Sequence, residues 1–319
     1  MNRFQYLLKR YTESKEYSLH GAIWMLLAGI AFAGINVITP LITEHYRITS
    51  SWIAFYQYLF ALLFMAPFIL RLGLKRILYT QHFMTHFWRI LVAVIGIQFW
   101  VYALAIQFPI GEGVALLMTS PLFASLGAFL FLRERLTAPR VIATILGFIG
   151  AIIILAPNQQ NFNSAAIYPL LAALFWALHA LLMKHLSDKD HPLTMVSYLY
   201  ILMVPINLFI ALTDNFSHLP DQLFVPGREL LLALLLLGFL TAIAQYSVAK
   251  AYSHADVIFI QPFDYFKLPL NTFLGFIIFG WAVTLQFWLG ALIMVSSLLA
   301  ISYFEIRNPE KLQKSSSLK

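Results

Sequence analysis

The sequence predicts an all-α integral membrane protein of ten transmembrane helices, arranged as two inverted five-helix repeats. Three observations carry this expectation. Hydrophobic residues make up 61% of the chain and charged residues only 11%, with a mean hydropathy of +0.78, whereas soluble domains carry about 25% charged residues. The apolar residues gather into ten uncharged runs, most of them near the roughly 20 residues a helix needs to cross the hydrocarbon layer. Finally, AIWMLLAGIAFA at Ala22–Ala33 and AIYPLLAALFWA at Ala166–Ala177 match without a gap at six of twelve positions, and each opens a set of five runs. An odd number of spans sends the second set in from the opposite face, a construction common in secondary transporters.

The runs of the first set are Gly21–Thr43, Ile48–Leu70, Ile90–Gly111, Gly113–Leu132 and Val141–Ala156. Those of the second are Ala165–Met183, His191–Thr213, Leu230–Ala249, Val257–Phe279 and Ala282–Phe304. Barrel strands would be half as long and would alternate in polarity, so these are helices. Residues 1–156 form the first repeat with its cytoplasmic N-terminal segment, and 157–319 the second with a cytoplasmic tail. The polar stretch Pro157–Ser164 between them is too short to join independent modules. The first run exceeds a signal-peptide core and is expected to stay in the mature protein. Trp52, Trp88 and Trp281 fall near span ends, where indoles anchor at the interface. Ala143, Gly147 and Ala151 form a small-residue stripe suited to close packing of the fifth span; Gly290 and Ser297 give the tenth a sparser one.

Charge placement fixes the orientation. With both termini in the cytoplasm, eighteen of the 21 Lys and Arg residues, Arg89 among them, fall on the inner side. Arg47 and Arg228 lie outside and Lys267 within a span, in accord with the positive-inside rule. The net charge of +7 is therefore topological and calls for no nucleic-acid partner. The absence of cysteine excludes disulfides, thiolate nucleophiles and thiolate metal sites.

The stretch Leu104–Leu155 carries Pro-Leu-Phe at Pro121–Phe123, a small residue six positions after the proline at Gly127, and Glu-Arg-Leu-Thr at Glu134–Thr137. It resembles the closing part of a repeat in the EamA group of the drug/metabolite transporter superfamily. Ala251–Trp281 is similar to the matching region of the second repeat, with Pro269 and Gly275 spaced as Pro121 and Gly127 are. Trp281 stands where the second signature usually has an acid, and Gln57 where relatives often carry a base. The resemblance implies ten helices around a central cavity and movement of small organic solutes, among them amino acids, nucleoside-like metabolites and S-adenosylmethionine.

A charge deep in a bilayer turns toward a bundle interior or water. Asp264 and Lys267, three apart in the ninth span, share one helical face; they either neutralise each other or present both signs to a solute. Thr119 and Ser120, with Glu112, occupy the inverted counterpart in the fourth span. Glu112 reads equally as a helix-start carboxylate near a positive dipole end or as a proton-coupling group, a role for which Asp264 competes. His179 on the sixth span and Gln57 on the second are further pocket candidates. So are Trp100 and Tyr265, from an aromatic set that also includes Phe99, Tyr102, Trp176, Tyr246 and Phe263. Interhelical hydrogen bonding accounts for most of Asn36, Gln98, Asn207, Gln245, Gln261 and Asn271 without a ligand.

No HExxH, GxSxG, GxxxxGK[ST] or EF-hand pattern occurs, so no catalytic, metal or nucleotide site is expected and no cofactor is implied. The expected activity is that of a secondary transporter or facilitator of a small organic metabolite in the cytoplasmic membrane, with solute and lipid as its partners; any concentrative transport draws on an ion gradient, protons included, on a solute gradient, or on a partner not encoded here. The rival reading is an intramembrane enzyme acting on a lipid-linked substrate through Asp264, His179 and Glu112; these lie at several depths rather than converging on one interface.

Overall fold

A computed structural model describes residues 3–132, 138–155, 164–187, 189–214, 227–254 and 263–307. The Glu134–Thr137 signature, Gln261 and Pro262 lie outside these residues. The helices are α1 (Arg3–Tyr46), α2 (Ser50–Leu72), a short α3 (Leu74–Ile77), α4 (Phe83–Ala105), α5 (Ile110–Leu117), α6 (Ser120–Leu132), α7 (Ala138–Leu155), α8 (Ile167–Ser187), α9 (Pro192–Asp214), α10 (Arg228–His254), α11 (Lys267–Phe279) and α12 (Leu285–Arg307). Among the described residues, six helices are long and apolar enough to cross a membrane, and four shorter apolar ones occupy the fourth, fifth, ninth and tenth span positions. The shorter helices therefore fall at corresponding places in the two halves.

Chain chemistry sets the ends of these elements. After α4, Gln107 takes a left-handed φ of 56° while the Phe108 N–H donates to the Ala103 carbonyl at 3.0 Å, a closing turn followed at once by Pro109, which cannot extend a helix. After α11, Gly280 at φ 70° performs the same closure. Its N–H donates to Phe276, that of Trp281 to Gly275, and the Trp281 ring stacks on Phe279 at 4.3 Å.

The fourth span, read from sequence as a continuous helix, is broken between Leu117 and Ser120. Pro121 explains this, since it lacks an N–H and its ring collides with the carbonyl four residues back, that of Leu117. The ninth span breaks in the same way: Pro269 opposes the Tyr265 carbonyl, and residues 265–266 form a turn ahead of α11.

Packing follows one pattern. α1 lies along α10 and α4 along α8; α2 packs on both α9 and α10, α4 on α9, α5 on α11, and α7 on α12. Exchanging the first five spans for the last five maps these pairs onto one another. The α7–α12 contact sets backbone against backbone: a Cβ added to Gly150 would stand 2.7 Å from the Gly290 carbonyl oxygen and 2.9 Å from the Met294 nitrogen, and one added to Gly147 would meet Leu122 and the Ser297 hydroxyl. Ala143 and Ala151 are buried on the same helix. The small-residue stripe is thus used, with Gly150 and Gly290 bringing backbone against backbone.

Two sequence expectations need correction. Trp52 is only 4% exposed and packs edge-on against Phe55, so it is a core residue rather than an interfacial anchor; Trp88, at 56%, does face outward. Arg89, counted among the inner-side charges, is buried inside α4.

Because the atoms opposing Gly150 belong to backbone and cannot turn away, Gly150→Ala should cost about 1–3 kcal/mol through overpacking, seen as a lowered thermal midpoint in detergent. Gly73→Ala, where nothing lies within 4 Å, is the comparison: its φ of 87° makes the cost one of backbone strain, independent of the α7–α12 contact.

Candidate substrate site

Bilayer interior offers no hydrogen bonds, so polar side chains there must satisfy one another. Asn36 of α1 donates through Nδ2 to Oδ1 of Asn271 on α11 at 2.9 Å, and accepts at its own Oδ1 from the Trp100 indole N–H of α4 at 3.1 Å. Asn271 Nδ2 also donates to the Lys267 carbonyl at 2.6 Å. All three side chains are buried, and together they tie three spans at one point. A second bridge runs from Gln98 of α4 to Asn207 of α9 at 2.8 Å.

One turn from Asn271, the Lys267 ammonium donates to Asp264 Oδ2 at 2.6 Å, with side-chain exposures of 21% and 20%. That partial exposure separates the pair from the amide network, where no side chain exceeds 5%. The two charges flank the break at Tyr265–Phe266, where the Phe266 N–H reaches Phe263 and the Leu268 N–H reaches Tyr265. Gly29 of α1 faces the Lys267 Cβ, at an ordinary contact distance of 3.8 Å from where a Cβ on Gly29 would stand. The result is an accessible anion–cation pair held on an interrupted helix, able to accept from one solute group and donate to another.

The remaining candidates divide. Thr119 is fully buried and spends its hydroxyl on the Leu116 carbonyl at 2.6 Å, so it caps the end of α5. Ser120, half-buried, begins α6, and Tyr265 is buried within the ninth-span break. Glu112 is half-buried in the first turn of α5, just after Pro109. Gln57 is buried on α2, and its Oε1 has no hydrogen-bond partner among the described residues. Trp100 joins the charged helix through Asn36, whereas His179 belongs elsewhere, with its Nδ1 donating to the Arg89 carbonyl at 3.2 Å.

That second polar cluster escaped the sequence reading. Asp190, between α8 and α9, accepts from the Thr80 hydroxyl at 2.8 Å and from His86 Nε2 at 2.8 Å. The His86 ring is fully buried and stacks on Tyr198 at 4.6 Å, whose hydroxyl donates to the Leu78 carbonyl. Arg89, 2% exposed, donates to the Met195 carbonyl at 2.8 Å and approaches His86 Nδ1 at 3.4 Å; its Nε has no partner among the described residues. Since guanidinium only donates, His86 Nδ1 is the acceptor and Nε2 carries the proton given to Asp190. The available signal was His86 and Arg89 at helical spacing, just ahead of the apolar run Ile90–Gly111.

The model of the EamA-like transporter family matches residues 19–156 and 163–303. The chain belongs to the EamA-like transporter family. It is accordingly a multi-pass membrane protein that transports a small metabolite and is not an enzyme, which sets aside the rival reading. The EamA-like chain is 44% identical, over 93% of its length and 97% of the relative's, to a riboflavin transporter of Vibrio cholerae serotype O1. It is 43% identical, over 91% of its length and 93% of the relative's, to a riboflavin transporter of Rhizobium johnstonii. An S-adenosylmethionine uptake transporter of Rickettsia conorii is 28% identical, with 90% of this chain and 94% of the relative covered. A solved crystal structure superposes with a TM-score of 0.60 at 15% identity, covering 91% of this chain and 98% of its own, and shows that the fold is shared.

Within this EamA-like transporter, Asp190→Ala should strip His86 and Thr80 of a shared acceptor and remove the negative charge that acts on the buried Arg89 cation. The expected loss is about 2–4 kcal/mol, read as a lower unfolding midpoint in detergent. Asp190→Asn, which keeps an acceptor oxygen, should fall between.

Proposed function

We propose that this transporter carries a flavin, riboflavin or a molecule sharing its ring, across the cytoplasmic membrane by alternating access with both termini inside. The observation that carries the substrate class is 44% identity across nearly the whole chain to a relative named a riboflavin transporter, against 28% for the one named for S-adenosylmethionine. The swap-related helix pairing supports rocking of two bundles, and the seventeen inner-side basic residues that remain once Arg89 is set aside support the orientation. Residues 1–156 and 157–319 are the two repeats.

The site chemistry suits that solute. The pyrimidine edge of a flavin ring presents an imide N–H between two carbonyls. Asp264 accepts from the N–H and Lys267 donates to a carbonyl, while the pair keeps its own charge balance as the solute enters. Ser120, at the equivalent break in the fourth span, supplies a hydroxyl for the polyol chain.

Purified protein in liposomes should take up radiolabelled riboflavin saturably and unchanged, with S-adenosylmethionine neither carried nor competing; carriage of S-adenosylmethionine alone would overturn the substrate class. Asp264→Asn and Lys267→Gln should each lower uptake about tenfold or more, as expected for a lost charge-assisted hydrogen bond, with unfolding midpoints near wild type. A purely structural pair behaves differently: each single change strands a charge and lowers stability by several kcal/mol, and the double change restores both stability and transport.

Glu112 is the proposed proton carrier, since its carboxylate is half-buried and in no ion pair among the described residues. Acidifying one side at zero membrane potential should drive uptake, and Glu112→Gln should abolish the response while leaving solute exchange intact. A response kept by Glu112→Gln and lost in Asp264→Asn assigns the role to Asp264; uptake indifferent to the gradient in wild type leaves facilitated diffusion.

A further inference from the structure

We infer that Trp176 is the stacking platform for the planar ring of the solute, an assignment that rests on the flavin reading and deepens it. On α8, Ile167 and Leu174 are 50% and 36% exposed and mark the lipid face. Trp176 follows Leu174 by two residues, about 200° around the helix, and so points to the protein interior, yet its side chain is only half-buried.

The pyrrole edge of the indole is held in place. A Cβ placed on Gly96 of α4 would fall 2.5 Å from indole Cδ1 and 2.7 Å from Nε1, so glycine at that position lets this edge seat against the α4 backbone. Trp100 stands beside it, ring centroids 6.5 Å apart, but Trp100 is 4% exposed and its N–H is spent on Asn36. The Trp176 N–H makes no hydrogen bond among the described residues. Of the two indoles, Trp100 is structural and Trp176 is available.

Depth places the platform with the ion pair. α1 and α4 run in the same direction, being separated by one span, and are joined at Asn36–Trp100. Gly29, which faces Lys267, precedes Asn36 by seven residues, about 10 Å along the helix, and Gly96 precedes Trp100 by four, about 6 Å. Lys267 and Trp176 therefore lie on the same side of that bridge at similar depth, suited to a ligand whose face stacks on indole while its edge is read by charged groups.

Indole stacked on a flavin quenches flavin fluorescence, which gives a readout that a packing role would not move. Wild-type protein titrated with riboflavin, and with lumichrome, which keeps the ring and lacks the polyol, should quench both. Trp176→Phe should lose most of the quenching and raise the KM for riboflavin uptake about tenfold with Vmax within about twofold, the scale of an aromatic stacking contact. Gly96→Ala, which dislodges the indole without removing it, should do the same in weaker form, and Trp88→Phe on the outer surface should do neither. Undiminished quenching and an unchanged KM in a Trp176→Phe protein that carries riboflavin would overturn the platform alone. A wild type that is folded but neither quenches nor carries riboflavin overturns the flavin reading and the platform with it.

Discussion

Hydrocarbon supplies no donors or acceptors, so each polar side chain carried into the bilayer has to be completed by another part of the protein. In this chain that requirement converges on Asn36, which takes the Trp100 indole proton and gives its own to Asn271. With Asn36 in place, α1, α4 and α11 meet at a fixed height, and Asn271 in turn occupies the Lys267 carbonyl at the start of α11. Remove the amide and an indole N–H and a carboxamide oxygen are left unpaired in apolar surroundings. The bond therefore does more than join helices: it sets the register from which Lys267, Asp264 and Trp176 are placed.

Two prolines impose the second constraint. Pro121 and Pro269 interrupt the fourth and ninth spans at corresponding positions, and the freed backbone is tolerable because it lies inside the protein. The repair differs between the two. At the first break, Thr119 turns its hydroxyl back on the Leu116 carbonyl and the junction closes on itself. At the second, the residues in the same places relative to the proline are Lys267 and Asp264, which answer one another at 2.6 Å and remain a fifth exposed.

Much of this was legible in the chain. Hydropathy gives ten spans, the Ala22–Ala33 and Ala166–Ala177 match gives two repeats, and a three-residue spacing puts Asp264 and Lys267 on one face because helical geometry is local. The proline breaks were not: the uncharged runs Gly113–Leu132 and Val257–Phe279 hid those at Pro121 and Pro269 alike, since hydropathy averages over backbone interruptions. What pattern could not supply were the long-range partners. Asn36 and Asn271 are 235 residues apart, His86 and Asp190 104 apart, and nothing local in either sequence names the other. Arg89 was misread for a related reason: a base at the end of an apolar run looks like a loop charge until the helix is seen to begin at Phe83 and to bury it.

Duplicated architecture with unequal chemistry is what a carrier of an asymmetric solute requires. Were both breaks charged, two like sites would face each other and a single solute would have to satisfy four ions in a low-dielectric interior, at a desolvation cost that pairing repays only with excellent geometry. With charge on one break alone, the fold keeps the exchange symmetry of its packing, as seen in the α1–α10 and α4–α8 pairs, and the proposed site offers the solute one polar wall. The proposed aromatic platform, Trp176, has its place because Gly96 removes a Cβ that would exclude it. Recognition by an edge and a face, as proposed, rather than by two opposed ion pairs, would leave each contact weak enough to release the solute in the proposed rocking of the bundles.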